Sequence, residues 1–271
     1  MRLPLSKNQI GELGRRLIHA ETPAAEDIAA LNELLLVYSD LLLETVERVS
    51  TNLGLEPTYR TKTKDTILEK LARGGGRWLR DVQDLAGMRL VCDMSLIEQD
   101  ALADRILELF SNAPKEARLI DRRHNPSHGY RTLHVIAYPY GIPVEIQLRT
   151  RLQHEWAETF ERYADVVGRG VRYGEEPSHV VMHDGANERW LLAGRTETRV
   201  IEEESQAGVS RAAGDSLQNL SRLITQHEHR RCADDNRADI ARAEAEIQWT
   251  LRSFQDGFAS LVRALRGRYG G

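Results

Sequence analysis

Four short blocks of this 271-residue chain hold side chains that bind anions, hold hard metal ions or move protons. The first is Arg60-Thr61-Lys62-Thr63-Lys64-Asp65-Thr66-Ile67-Leu68-Glu69-Lys70-Leu71. Its cations at 62 and 70 bracket the start of a helix, and Arg60 and Lys62 lie in the extended approach to it. Fixed cations beside free backbone donors at a helix N-terminus suit phosphate oxygens. The second is Asp84-Leu85-Ala86-Gly87-Met88-Arg89-Leu90-Val91-Cys92. An acid just ahead of a buried strand is placed to hold Mg²⁺, which prefers carboxylate and phosphate oxygens. The third, Pro126-Ser127-His128-Gly129-Tyr130-Arg131-Thr132-Leu133-His134, sets a glycine, an aromatic ring, a cation and a histidine where a strand begins. Gly129 permits a tight turn or a close approach, Tyr130 offers a stacking surface for a base, and His134 a hydrogen bond to a hydroxyl or phosphate. In the fourth, Val144-Glu145-Ile146-Gln147-Leu148-Arg149-Thr150, alternation puts Glu145, Gln147 and Arg149 on one strand face. Glu145 there could hold a metal or accept a proton from an attacking hydroxyl.

Each block alone also has an ordinary explanation. Charged helix faces are common, Asp84 could cap a turn, and Tyr130 and His134 could simply pack. Two further groups, His179 with His183 and His227 with His229 and Cys232, lack a full ligand set at zinc spacing and read as surface polar residues. The chain has no Gly-x-x-x-x-Gly-Lys-Ser/Thr loop, so it is not a P-loop enzyme.

The elements that must position these blocks follow from periodicity and punctuation. Ser6 caps a helix over Lys7–His19, and a longer helix runs from about Ala25 to Asn52, stopped by Gly54 and Pro57. A short helix spans Thr63–Arg73, ended by three glycines. A strand covers Gly87–Cys92, a helix Leu96–Phe110, and two strands Thr132–Tyr138 and Pro143–Arg149. The turn Pro139-Tyr140-Gly141-Ile142 makes those two strands an antiparallel pair. Thr150 caps a helix to Val167, ended by Gly168 and Gly170. The fold class is therefore α+β, a small mixed sheet flanked by helices with a helical C-terminal extension. From Arg172 onward no strand is predicted; helices are expected over Asn187–Gln206, Ala212–His229 and Asn236–Arg266. The expected organisation is an N-terminal helix over 1–24, a domain over 25–170 and an extension over 171–271.

Composition narrows the partners. Hydrophobic residues make up 41% and charged residues 29%, as in an ordinary globular chain. The net charge of -4 argues against a polybasic nucleic-acid binder. Lys and Arg nevertheless outnumber Asp and Glu over Pro57–Leu90 and Pro114–His154, which points to a local anion site. Cys92 and Cys232 are the only cysteines, so this is no disulfide scaffold. No signal peptide and no membrane span are expected, and a cytoplasmic setting is the default.

Taken together, in this order and spacing, the blocks resemble the synthetase domain of the RelA/SpoT family over roughly residues 25–168. The likeness is to the small members without a hydrolase domain. It implies a nucleotidyltransferase-like fold and an ATP-dependent pyrophosphokinase. Arg60 and Arg89 would sandwich the adenine of ATP, Lys62 and Lys70 would bind its phosphates, and Asp84 would hold Mg²⁺. Glu145 would assist the metal or activate the acceptor hydroxyl. Tyr130 would stack on the acceptor base, with Arg131, His134, Gln147 and Arg149 completing that side. The acceptor implied is GDP or GTP, giving ppGpp or pppGpp. The alternatives are a toxin-type enzyme acting on the 3′ end of tRNA or on an adenine nucleotide, and an inactive nucleotide-binding regulator. Ser127 departs from the pattern, standing where family members carry a lysine; Arg122, Arg123 or His128 are the candidates to replace that charge. A homo-oligomer through the C-terminal helices is the family-based expectation.

Overall fold

In the computed structural model, all residues are described except 21, 65, 69, 70, 72–76, 178, 185–188, 195–202, 233–236, 270 and 271; the side chains of 77, 78, 178–211 and 260–271 are not described either. Packing divides the chain into two units that interleave along the sequence. The first comprises residues 1–92, 99–120 and 133–149, and the second 93–98, 121–132 and 150–271.

The first unit begins with α1 (Lys7–His19) and α2 (Ala25–Leu53). Ser6 closes a capping box with Gln9 at the start of α1, which satisfies amide donors that the helix itself leaves open. Gly54, in the left-handed region at φ 66°, ends α2 by donating to the Ser50 carbonyl. Leu31, Leu34, Tyr38, Leu41, Leu42 and Val49 recur at helical spacing and are all buried. With that face α2 packs on strands β1 (Thr58–Thr61) and β2 (Ala86–Cys92). Lys64, Thr66–Leu68 and Leu71 are helical, as expected of the first block. Lys70 lies outside the described residues.

A five-stranded mixed sheet has the order β1-β2-β5-β4-β3. Helix α3 (Leu96–Leu109) follows β2; β3 is Arg118–Asp121, β4 Leu133–Ala137 and β5 Val144–Thr150. β4 and β5 are antiparallel, pairing His134 with Gln147 and Ile136 with Glu145. A 3-10 turn over Pro139–Gly141 joins them, as the sequence predicted. Period-two alternation sends Val144, Ile146 and Leu148, with their partners Ala137, Val135 and Leu133, into the core, all fully buried. The same register sends Glu145, Gln147 and His134 to the opposite face.

The second unit contains α4 (Arg151–Val167), the hairpin β6 (His179–Asp184) and β7 (Arg189–Gly194), α5 (Glu203–Cys232) and α6 (Arg237–Tyr269). Thr150 and Gln153 form the capping box of α4. Its core gathers Trp156, Phe160, Tyr163 and Val167 of α4 with Leu217, Leu220 and Ile224 of α5 and Ile247 and Leu251 of α6.

Two expectations are corrected, and two strands went unseen in the sequence. β6 and β7 pair antiparallel in full register, where no strand and a helix from Asn187 were expected. Their apolar runs, Val180-Val181-Met182 and Trp190-Leu191-Leu192, are short and sit in a stretch rich in charged helix formers, and pairing between segments supplies what local propensity does not. The helix expected over Ala212–His229 belongs to a longer one, α5. Finally, the four-residue strands β1 and β3 are too short and too exposed to announce themselves by alternation. Among the described residues, no helix is long and apolar enough to cross a membrane.

The core face of β5 carries the sheet. Replacing fully buried Ile146 by alanine is expected to cost about 2–5 kcal/mol, from lost apolar burial plus the cavity left behind. Urea denaturation of Ile146→Ala against the parent chain measures it.

Candidate functional site

The polar face of the first unit's sheet assembles most of the residues singled out from the sequence. β1 and β2 pair Thr58 with Arg89 and Arg60 with Gly87. Arg60 and Arg89 therefore lie on one face, two positions apart across the ladder. The Lys62 amide extends the pairing by donating to the Leu85 carbonyl at 3.2 Å. That fixes the Lys62 backbone beside the loop that carries Asp84, and its Nζ donates to Asp84 Oδ2 at 2.5 Å. The pair is only partly exposed, at 19% and 26%, so water screens it less than a surface ion pair.

On β4 and β5 a connected network runs along the strand. Arg149 Nη2 donates to Gln147 Oε1 at 3.0 Å, and Gln147 Nε2 donates to Glu145 Oε2 at 2.8 Å. His134 Nδ1 lies 2.8 Å from the other carboxylate oxygen, Oε1. These neighbours fix the Gln147 amide: its NH₂ must face the carboxylate and its oxygen the guanidinium. Spacing of two residues along β5 makes the line, and the β4 register adds His134.

Burial pushes the Glu145 carboxyl upward, but the hydrogen bond and charge of His134 and the hydrogen bond from Gln147 outweigh it. The net position is below the ordinary value, even though the charge of Asp84 works against this. Glu145 is thus an ionised carboxylate at neutral pH, close enough to Asp84 for the two charges to interact. Among the described residues, no group of three or more His, Cys, Asp or Glu is gathered as a metal site. Two neighbouring carboxylates remain a suitable protein contribution to Mg²⁺, which commonly takes one or two carboxylates and completes its shell with phosphate oxygens and water.

Tyr130 and Arg131 belong to the second unit. Ser127 to Tyr130 forms a tight turn, with the Tyr130 amide donating to the Ser127 carbonyl at 2.9 Å. Both central residues have positive φ, His128 at 49° and Gly129 at 88°, as in the primed hairpin turns. Gly129 is required for a second reason: a β-carbon there would stand 2.9 Å from Trp156 Cζ2. Tyr130 is half-buried against the core of that unit. Arg131 Nε donates to Ser221 Oγ at 3.2 Å, and its Nη1 donates to the Arg123 carbonyl.

The structure corrects two readings here. Arg123 was a candidate to supply a missing acceptor-side cation. Its guanidinium is instead buried, 8% exposed, and donates to both Asp121 oxygens, at 3.1 and 2.8 Å. Burial pushes Asp121 up, but Arg123 more than reverses it. Only Arg122 of that pair is exposed. His227 is no surface residue: it is 4% exposed on α5, and burial pushes its imidazole down. Two polar residues passed over in the sequence, Ser221 and Glu228, are also buried on α5, at 3% and 1%. Their signal was a helical stripe of Leu217, Ser221, Ile224 and Glu228 in which two members are polar.

Residues 59–164 match the family described as a region found in RelA / SpoT proteins. The chain carries a RelA/SpoT domain. Every site residue expected from the sequence falls inside that stretch, while Ser221 and Glu228 fall outside it. An uncharacterized protein of Mycobacterium tuberculosis is 38% identical over 184 residues, covering 66% of this chain and 66% of its own length. This chain thus spans 66% of the length of that relative. The bifunctional (p)ppGpp synthase/hydrolase RelA of the same organism is 34% identical over 100 residues, 35% of this chain and 13% of that protein. Among solved structures, small alarmone synthetase 2 from Bacillus subtilis superposes with a TM-score of 0.46 at 17% identity, covering 73% of this chain and 94% of that one. Small alarmone synthetase 1 from the same organism, bound to its product pppGpp, gives 0.41 at 18% identity, covering 72% and 95%.

The depressed Glu145 predicts a pH effect within the RelA/SpoT domain. Its folded-state pKa lies below the unfolded value of 4.5. It therefore contributes stability that is present above the unfolded value and is lost as pH falls through the folded one. Glu145→Gln is expected to be less stable at neutral pH and to lose stability less steeply toward acid, measured as urea midpoints across the acid range.

Proposed function

We propose that this chain is an ATP-dependent pyrophosphokinase that moves the β,γ-pyrophosphate of ATP to the ribose 3′-hydroxyl of GDP or GTP, giving ppGpp or pppGpp. One observation carries the reading. Within the stretch that matches RelA/SpoT proteins, the Lys62–Asp84 pair and the Glu145–His134 pair stand close enough for their carboxylates to interact, on a sheet face that also bears Arg60 and Arg89.

The chemistry asks for positioning and charge more than for a covalent intermediate. The 3′-oxygen attacks the β-phosphorus of ATP, a new O–P bond forms, and the bond from that phosphorus to the α,β-bridging oxygen breaks, releasing AMP. The hydroxyl proton leaves to the Glu145 carboxylate or to solvent as attack proceeds. Arg60 and Arg89 hold the adenine between them, and Lys62 and Lys70 bind the phosphates. Asp84 and Glu145 would hold Mg²⁺, which would neutralise developing charge on the phosphate oxygens. Glu145, held ionised by its neighbours, can serve as a ligand for the metal or as the base for the acceptor hydroxyl. His134 and Gln147 keep that carboxylate oriented and ionised, with Arg149 behind Gln147. Tyr130 stacks on the acceptor base, and Arg131 holds the turn that carries it.

The engagement of Arg123 by Asp121 removes one of the two arginines on which a tRNA track would rest. An inactive regulator is disfavoured by the presence of both acids.

The test is incubation of the full chain with Mg²⁺ and γ-labelled ATP, separately with GDP, GTP, AMP, ADP, unlabelled ATP and bulk tRNA. Label is expected in a guanosine nucleotide. Label in tRNA or in an adenine nucleotide alone overturns the acceptor, and no transfer to any of them overturns the activity. Asp84→Asn should lower turnover by about a hundredfold or more while leaving the circular dichroism spectrum unchanged; undiminished turnover removes Asp84 from the metal site.

A further inference from the structure

Helix α5 presents the stripe Leu217, Ser221, Ile224 and Glu228, spaced four, three and four residues apart, and every member is buried. Apolar packing explains Leu217 and Ile224. It does not explain a buried hydroxyl and a buried carboxylate, whose desolvation is unfavourable unless they are hydrogen-bonded. Both are. Ser221 Oγ donates to the Gly129 carbonyl and accepts from Arg131 Nε at 3.2 Å. Two turns further on, Glu228 accepts from Thr150 Oγ1 and from Gln153 Nε2, the latter at 3.2 Å. The same helix therefore grips the turn that carries Tyr130 and the capping box that follows Arg149.

The grip on the turn is specific. Trp156 lies beneath Gly129 and donates its indole N–H to the Leu217 carbonyl of α5 at 2.6 Å. The Gly129 carbonyl is held by Ser221 on the same helix. Arg131 is tied to Ser221 on one side and to the Arg123 carbonyl on the other. The peptide before Tyr130 and the side chain after it are thus both anchored to one hydroxyl, and Tyr130 between them has little freedom to turn.

We propose that Ser221 is a positioning residue for the acceptor nucleotide: by holding Gly129 and Arg131 it keeps Tyr130 oriented to receive the acceptor base, so the C-terminal helix is part of the acceptor machinery and not an appendage. The proposal rests on the pyrophosphokinase reading above. Ser221 acts through the turn, where its hydroxyl holds Gly129 and Arg131, so its removal is expected to change acceptor use and leave ATP use alone.

The experiment compares the full chain with Ser221→Ala and Ser221→Thr, by hydrogen–deuterium exchange over residues 127–132 and by steady-state kinetics with Mg²⁺, ATP and GDP. Ser221→Ala is expected to speed exchange in the turn by about tenfold, the effect of one lost hydrogen bond. It should raise the KM for GDP by a similar factor, with the KM for ATP unchanged. Threonine keeps the hydroxyl, and Ser221 borders a small, partly open hollow with Arg131, Gln153, Trp156, Ile224 and Thr225, toward which the added methyl group can turn. Ser221→Thr should therefore restore both readouts. Unchanged exchange in Ser221→Ala overturns the proposal whether or not the parent chain is active. Faster exchange with an unchanged KM for GDP, or with an equal rise in the KM for ATP, overturns the acceptor role. A parent chain that transfers to none of the acceptors is the failure of the pyrophosphokinase reading, and it overturns the acceptor role of Ser221 with it, whatever the exchange shows of the turn.

Discussion

An ionised carboxylate taken out of water must be neutralised by groups already held in place. Glu145 is that group in the first unit. One oxygen faces His134 across the β4–β5 ladder, and the other faces Gln147, whose amide is in turn held by Arg149. The network needs the strand register to be correct, because a slip of one residue would send Glu145, Gln147 and Arg149 into the apolar layer. The fully buried Val144, Ile146 and Leu148 prevent that slip. Apolar packing on one face of β5 therefore fixes the charge arrangement on the other.

The same logic connects Lys62 to Asp84. β1 is short and exposed, yet its backbone pairing with β2 carries on to the Lys62 amide, and this sets the ammonium beside Asp84. Opposite charges so placed suit the proposed binding of an anionic phosphate chain beside a divalent cation. In that proposal lysine serves the first and carboxylate the second. A RelA/SpoT domain that works in this way spends its structure on holding charges, not on building a nucleophile.

In the second unit the constraint is a glycine. Gly129 has a positive φ and leaves no room for a β-carbon above Trp156. The turn is then completed by hydrogen bonds from a helix that begins more than seventy residues later in the chain. The C-terminal region is rich in arginine and glutamate and reads as solvated helix. It also turns a few polar residues inward, Ser221 and Glu228 among them, and these are hydrogen-bonded.

Much of this was legible in the residues themselves. Ser6 and Thr150 announced their helices as N-caps, Gly54 announced the end of α2, and alternation in Val144–Arg149 announced which side chains share a face. These signals are local, since caps and strand alternation depend on neighbours a few residues apart. The spacing of the four blocks likewise pointed to the RelA/SpoT family. Tertiary structure alone decided the rest, because it depends on partners distant in sequence. It tied Arg123 to Asp121 within a buried environment, buried His227, paired β6 with β7 where helix was expected, and brought Ser221 to Gly129. A side chain's type states what it can bind; only the packed chain determines what it has left to bind with.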